Sequence, residues 1–476
     1  IYSVDTPPPT VSGEMHIGHA FSYTQQDIII RYKRMRGFNV FYPFGTDDNG
    51  LATERLVERI NQVKSKSMDR DEFVKLCLQT LKEIKPDFIQ DWKRIGVSCD
   101  FDVFYSTIDE HCQRISQRSF LDLYKKGRIE RKKSPIIFCP RCKTAIAQVE
   151  MEDVDKKSEL VYVKAKLSTD EYMVYATTRP ELHPGCVGIS INENGTYVTA
   201  ELQSGELWII SKDAVEKLHD EFPMVIKEEF LGKELVGRPV EIPYALRGTV
   251  PVSHDVSAKT EYGTGIVYYC TYGGLDCVEW MPRHPEVKAE NIMDESGVYT
   301  RGKYEGLASE AARKQVISDL KADGHLVKVE KMKHAVNVHE RCGTDIEYIA
   351  TLQWFIKYLD LQERFLKNGR ELDWHPEHMR VRLDNWINGL QWDWCISRQR
   401  HFGVPIPVWY DKDKNVVLPT EEQLPVDPLT DTPAGCEGRE LAPETDVLDT
   451  WATSSMTPQI AAELFIDHPV YDELFR

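Results

Sequence analysis

The sequence predicts an α/β protein in which a parallel sheet is interrupted by a large β-rich insertion. Three observations carry this. The first fifty residues read strand, helix and strand joined by short turns, the βαβ pattern of a parallel sheet. From about 159 to 285 the chain turns strand-like, with Gly and Pro punctuation. Between these regions the composition shifts at Arg131-Lys132-Lys133, just before the turn Cys139-Pro140-Arg141-Cys142.

The opening strand covers 1–5 and runs into the Pro-rich turn Thr6-Pro7-Pro8-Pro9-Thr10 and a small loop with Gly13. Ile17, Phe21, Ile28, Tyr32 and Met35 recur at helical spacing, and Gly37 stops that helix. Val40-Phe41-Tyr42-Pro43-Phe44 is a second short strand that meets the polar turn Gly45-Thr46-Asp47-Asp48-Asn49-Gly50. Charged, helix-rich sequence follows from about 53 to 130. In the insertion, Val161-Tyr162-Val163, Val174-Tyr175-Ala176 and Gly265-Ile266-Val267-Tyr268-Tyr269 read as strands, and Ala308 to Ala322 as a helix. A Trp-rich stretch at 374–409 and a loop-rich excursion at 411–445 follow. The expected divisions are 1–130, the first half of the α/β domain; 131–158, a knuckle linker; 159–335, the insertion; 336–445, a return and connective region; and 446–476, the start of a second half.

At 476 residues the chain is long enough for several cores and needs no disulfide or metal for bulk stability. With 59 Lys and Arg against 76 Asp and Glu the net charge is −17, so any polyanion must meet a local basic patch. Lys33-Arg34-x-Arg36 and Arg131-Lys132-Lys133 are such clusters, though a cluster of this kind is usually just a solvated face. No apolar run is long enough to span a membrane, and no signal pattern opens the chain. Eleven cysteines without a framework rhythm read mostly as reduced thiols, so a cytoplasmic protein is expected. The chain starts without Met and stops without a polar tail, as a piece of a longer polypeptide does. Cys139-x-x-Cys142 and His339-x-x-Cys342 repeat one spacing two hundred residues apart, which predicts a closed Cys₃His structural zinc site. The same cysteines also fit ordinary core positions.

His16-Ile17-Gly18-His19 stands at the predicted helix start, one loop after the first strand. A helix N-terminus offers free N–H groups and a positive dipole end, two His at i and i+3 can reach one phosphate, and Gly18 leaves room for a flat base. Alone, the pattern is more often just two surface histidines near a helix start. Its setting resembles the signature of the class I aminoacyl-tRNA synthetases, carried by Thr6 through His19. Gly45-Thr46-Asp47-Asp48-Asn49-Gly50-Leu51 and Ile396-Ser397-Arg398-Gln399-Arg400 resemble further motifs of the branched-aliphatic subgroup. Within it the sequence is most similar to the valyl enzymes, in their archaeal-like form.

The resemblance implies a Rossmann-like catalytic domain that uses ATP with Mg²⁺ to activate valine and passes it to tRNA for valine. His16 and His19 would steady the phosphates, with Gly18 beneath adenine. Asp47 would hold the substrate ammonium, helped by the backbone near Pro7 and Pro8; Pro9, Thr10, Trp394 and Trp451 would wall the side-chain pocket. Asp47 alone fits a turn cap, and each Trp fits plain core packing. Threonine nearly matches valine in shape, so a second, hydrolytic site is expected. Ala176-Thr177-Thr178-Arg179-Pro180-Glu181 resembles the subgroup's editing signature. Thr177, Thr178 and Arg179 would hold the acyl ester and terminal adenosine, Gly263-Thr264-Gly265 would admit the ribose, and Asp276 would hold the ammonium or orient water.

Departures from the pattern are Leu182, where relatives often carry Thr, Tyr268, where bacterial forms carry Lys, and Gly273-Gly274-Leu275 in place of a second acid before Asp276. The Lys-Met-Ser-Lys-Ser signature does not occur; Lys64-Ser65-Lys66-Ser67 matches it in letters only. Slow or no adenylate formation by this chain alone is therefore expected. No membrane partner is expected, and a monomer is. The rival readings are an isoleucyl enzyme, a nucleotidyltransferase of the same fold, and a tRNA-editing or tRNA-binding fragment without synthetic activity.

Overall fold

Strand β1 (Tyr2–Ser3), helix α1 (Ile17–Met35) and strand β2 (Val40–Phe41) form the expected βαβ unit. Tyr2 stands opposite Val40 and Ser3 opposite Phe41 in parallel register. The computed structural model describes residues 1–11, 15–168, 170–469 and 471–472, so the loop with Gly13 lies outside the described residues. The chain divides into two units, one made of 1–132 with 353–476, the other of 133–352. Segments 133–158 and 336–352 thus fall in one unit with the insertion.

In the first unit the predicted strand at 40–44 is split at Tyr42. β2 pairs with β1, and the chain then changes partner: β3 (Pro43–Thr46) runs parallel to β4 (Asp100–Ser106). Helices α2 (Gly50–Asn61) and α3 (Arg70–Arg94) lie between β3 and β4, and α4 (Glu110–Lys125) follows. Tyr23, Ile30, Phe44, Phe73, Leu81, Phe88 and Trp92 are part of the core here.

Helix α1 forms where its spacing predicts, but the other way round. Tyr23, Asp27 and Ile30 face inward, while Ile17, Phe21, Ile28, Tyr32 and Met35 are exposed. The reason is a polar anchor. Asp27 Oδ1 accepts from the Ser98 backbone N–H at 2.8 Å and from the Ser98 hydroxyl, and its Oδ2 accepts from Arg31 Nε at 2.6 Å. A carboxylate that would cost several kcal/mol to bury unpaired is satisfied only with this face inward.

Strand β5 (Ile129–Cys139) leads into the second unit, where β6 (Thr144–Ala145) closes the cysteine turn, Ala145 opposite Phe138. Next come β7 (Met151–Lys166), β8 (Glu171–Thr177), β9 (Cys186–Ile191), β10 (Thr196–Leu202), β11 (Leu207–Ser211), α5 (Lys212–His219) and β12 (Met224–Leu231). β13 (Pro239–Glu241), β14 (Thr249–His254), β15 (Val267–Cys270), α6 (Leu275–Arg283), α7 (Ser309–Ala322) and β16 (Leu326–His339) complete it. The strands from β7 onward make one ten-stranded mixed sheet in the order β12-β10-β11-β8-β7-β13-β14-β9-β15, with β16 also paired to β7. Val161, Val163, Ile189, Tyr197, Ile209 and Trp280 are in the main core of this unit.

Strand β17 (Glu347–Ile356) returns the chain to the first unit. There α8 (Gln362–Glu371) and α9 (Arg380–Asn388) precede β18 (Trp394–Cys395), which pairs Trp394 with Ile356. β19 (Ser397–Arg398) pairs with residues Val447 and Leu448 just before helix α10 (Thr450–Ser454). The 411–445 stretch is largely irregular. Among the described residues no helix is long and apolar enough to cross a membrane.

Candidate functional site

His16 is the N-cap of α1, in extended backbone, and His19 is the third helical residue. The His16 Nδ1 accepts from the Gly18 N–H at 3.2 Å, and the His19 Nδ1 accepts from the His16 N–H at 3.5 Å. The rings stack with centroids 3.9 Å apart. With each Nδ1 accepting, the proton of a neutral imidazole sits on Nε2, which leaves each ring a donor at a helix N-terminus. Burial, then the charge of His16, holds the His19 pKa below its ordinary value. A Cβ on Gly18 would lie 3.0 Å from the His16 ring, so the glycine lets the imidazole fold back over the turn. Trp92, with its ring 5.8 Å from that of His19, supports the pair from the core side.

Two adjacent aspartates end β3, and the structure separates their tasks. Asp48 is fully buried and paired to Lys85 at 2.7 Å, with Thr46 and Ser106 hydroxyls on the same oxygen. Asp47 has no ion pair among the described residues. It receives the Thr107 hydroxyl at 2.8 Å on one oxygen and the Ser454 hydroxyl at 3.3 Å on the other. Burial raises its pKa to about 7, with the neighbouring charge of Asp48 adding to the shift and the Thr107 hydrogen bond opposing it. A buried carboxylate in that condition lacks a cation.

The backbone N–H of Asp47 donates to Pro9 O at 2.9 Å, and Val11 N–H donates to Asp47 O, which brings Pro9 and Thr10 alongside. Pro8 is buried next to them, and the Tyr23 hydroxyl donates to Pro7 O. One residue the sequence reading missed, Asp449, holds the Trp394 indole and caps the helix that carries Trp451, a residue 44% exposed. Asp449 Oδ2 accepts from Trp394 Nε1 at 2.9 Å and from Arg398 at 2.7 Å; its Oδ1 caps α10 at the Trp451 N–H. Ser454, one turn on in α10, is the residue that touches Asp47. Asp-Thr directly before Trp451 is an N-cap pattern and was the available signal; Thr107 had none.

In the second unit Thr177 ends β8. Its hydroxyl donates to Tyr268 Oη at 3.2 Å and accepts from the Arg179 N–H at 2.9 Å, while Tyr268 donates to Arg179 O. Tyr268, which departs from the bacterial pattern, therefore clamps the turn. Arg179 is engaged from three sides. Its Nε meets Glu181 at 2.9 Å, one Nη reaches both oxygens of Glu347 at 2.8 and 2.9 Å, and the other donates to Gly273 O at 3.0 Å. Arg313 closes the network on Glu181 and Thr178 O. The Arg179 guanidinium is thus committed to holding the loop before Asp276. Glu347 and Arg313 were missed; a lone acid inside the apolar run Ile346-Glu347-Tyr348-Ile349 was the readable sign of a buried cation nearby.

Gly263 and Gly265 both adopt positive φ, and Thr264 between them is buried with no hydrogen-bond partner for its hydroxyl oxygen. Thr264 O accepts from Ser211 N–H, at the end of β11, which runs parallel to β8 with Ile209 opposite Met173. The Gly-rich turn therefore lies one strand from Thr177. Asp276 is exposed in the first turn of α6. Its charge adds to burial in pushing the Tyr348 phenol up to about 12. A cavity of about 450 Å³ opens beside Tyr348, Thr271 and Tyr272.

Cys139, Cys142, His339 and Cys342 converge because β16 runs antiparallel along β7 until His339 stands opposite Met151. All four ligand atoms lie within 4.8 Å of one another. The sulfur separations of 3.5 and 3.7 Å, and 3.4 Å from the His339 Nδ1 to each of two sulfurs, match the edges of a tetrahedron with Zn–S of about 2.3 Å and Zn–N of about 2.0 Å. The Cys142 N–H points at Cys139 Sγ, as in a knuckle. The donor set fits zinc at a closed structural site.

The family model described as tRNA synthetases class I (I, L, M and V) matches residues 1–465. The valine–tRNA ligase of Thermoplasma acidophilum is 42% identical over 98% of this chain and 55% of its own length. That of Rickettsia conorii is 39% identical over 100% of this chain and 55% of its own. The chain spans about half the length of the curated relatives it matches. Among solved structures, the agnB2 LeuRS of Agrobacterium radiobacter K84, in a ternary complex with tRNA and LeuAMS, covers 97% of this chain and 56% of its own at 17% identity and a TM-score of 0.42. Because the family match runs through both stretches of the first unit and the whole of the second, the chain belongs to the class I tRNA synthetases (I, L, M and V).

Proposed function

We propose that the protein to which this chain belongs activates valine with Mg²⁺-ATP and transfers it to tRNA for valine. The observation that carries the reading is Asp47, a buried carboxylate with no cation among the described residues, hydrogen-bonded to Pro9 on one side and to Ser454 of the helix that Asp449 caps on the other. The valine ammonium supplies the missing charge, and rigid Pro and Trp walls exclude larger side chains by volume. The valine carboxylate attacks the α-phosphorus, the bond to pyrophosphate breaks, and the Nε2–H groups of His16 and His19 donate to the phosphate oxygens as charge builds. Such chemistry rests on positioning and charge stabilisation, without a protein nucleophile. The identity to valine–tRNA ligases supports valine over isoleucine.

A hydrophobic pocket cannot strongly reject an isostere that adds a hydroxyl, for which the valyl enzymes and threonine are the standard example. The insertion then serves as the second site, hydrolysing threonyl esters of that tRNA. Thr177, Thr178 and the turn at Gly263–Gly265 flank the ester, Arg179 braces the loop, and Asp276 orients the water or the ammonium. Zinc, when bound, holds the base of the insertion as a structural ion.

Tryptophan fluorescence titrations test the first part. Valine should perturb Trp394 and Trp451 emission, isoleucine should not, and Asp47→Asn should abolish the response; equal or tighter isoleucine binding sinks the valine assignment. Deacylation tests the second. Threonyl-tRNA should be hydrolysed and valyl-tRNA spared, with the rate lost in Asp276→Ala. Selective hydrolysis that survives in that variant removes Asp276 from the site.

A further inference from the structure

Cys270 ends β15 and Cys277 lies in the first turn of α6, and their sulfurs stand 3.8 Å apart in the second unit. Both thiols are buried. None of the eleven cysteines is in a disulfide, and outside the metal tetrad no other sulfur–sulfur hydrogen bond occurs among the described residues. The chain between the two thiols, Thr271–Asp276, is a short loop and the start of α6, and Arg179 holds that loop through Gly273 O. A side chain at 273 would collide with the Cys270 sulfur and crowd Leu182, so glycine is what lets this loop fold over the thiol.

We propose that Cys270 and Cys277 are a reversible oxidation site, in which a peroxide converts the dithiol into a disulfide and displaces the Gly273–Asp276 loop. The Cys277 thiolate attacks one peroxide oxygen; an S–O bond forms, the O–O bond breaks, and hydroxide leaves to take up a proton. The Cys270 sulfur then attacks the sulfenic sulfur, an S–S bond forms, the S–O bond breaks, and water leaves with the Cys270 proton. Two thiols lose two electrons in total, and one peroxide becomes two waters.

Cys277 suits the attacking role. Hydrogen bonds from the Cys270 thiol and from backbone N–H groups, including that of Gly273, lower its pKa against the opposing effect of burial. The Cys270 pKa is raised by that hydrogen bond and by burial, which keeps it a thiol until the second step. Closing the sulfurs from 3.8 Å to about 2.0 Å requires the first turn of α6 or the end of β15 to move. β15 is paired with β9 through an irregularity at Cys270, and the motion is assigned to the glycine loop and the first turn of α6. Cys186, opposite Cys270 in that ladder, is the competing partner.

The test is hydrogen peroxide treatment of the whole chain, alkylation of the remaining thiols and peptide mapping. A dithiothreitol-reversible link between the Cys270 and Cys277 peptides is expected, absent from Cys270→Ser and Cys277→Ser and retained in Cys186→Ser. Amide exchange of 273–278 should change on oxidation. Full alkylation of both thiols after peroxide, or a link to Cys186 instead, overturns the proposal. A correct link with unchanged loop exchange overturns the displacement. The mapping uses the unmutated protein, so a variant that fails to fold leaves the result standing.

Discussion

Arg179 lies against Glu347 with one guanidinium nitrogen 2.8 and 2.9 Å from the two carboxylate oxygens. The residues are far apart in sequence, and the pair ties the turn after β8 to the start of β17. Burial raises the Glu347 pKa while Arg179 opposes it, so the pair is held against a desolvation cost. Removing one partner of a fully buried pair costs about 3–5 kcal/mol. Arg179 keeps 28% of its side-chain surface exposed, which puts Glu347→Ala nearer about 2 kcal/mol. Calorimetry should show the transition of the second unit shifting down while the other is retained, since a two-unit chain has no single melting equilibrium.

Asp47 makes the protein pH-dependent in a definite direction. Its folded pKa of about 7 stands above the unfolded value of about 3.9. The folded state therefore holds the extra proton between those values, and the native state loses stability as pH rises through that window. Asp47→Asn should melt higher than the parent at pH 8 and lose that advantage by pH 4. Valine binding should run the other way, strengthening as Asp47 ionises near pH 7. A pH-independent difference in melting refutes the assignment.

Zinc should be found at one equivalent per chain. Chelation should lower the melting temperature of the second unit and leave three thiols newly open to alkylation; Cys142→Ser should lower it likewise and leave two. Metal analysis with thiol counting checks both, and a metal-free protein of unchanged stability contradicts the site. Structural zinc contributes folding energy directly because the unfolded chain has no preformed site, so metal binding favours the folded state.

The inward face of α1 depends on Asp27. Replacing it with Ala strands the Ser98 N–H and hydroxyl, each a charge-assisted partner, at a cost of about 2 kcal/mol. Hydrogen exchange at Ser98 and along α1 should accelerate, and the exposed row from Ile17 to Met35 should become more variable in its protection. Ser98→Ala should do the same more weakly, because the backbone donor remains.

Much of this protein is legible without coordinates. The helix from His16 to Gly37 follows from its periodicity and its stop, the insertion from strand punctuation, and the metal tetrad from two repeated spacings. The order of elements and the presence of His16, Gly18, His19 and Asp47 at chain turns needed only local rules, because caps, turns and strand ends are decided by neighbours in sequence. What the sequence left undecided has one physical origin. Which face of α1 goes inward, which of Asp47 and Asp48 keeps its carboxylate free of a cation, and whether Arg179 reaches outward or braces a loop are settled by partners far along the chain: Ser98, Lys85 and Glu347. Burying charge is costly enough that such partners override hydrophobic periodicity, and a partner brought close only by folding leaves no local trace.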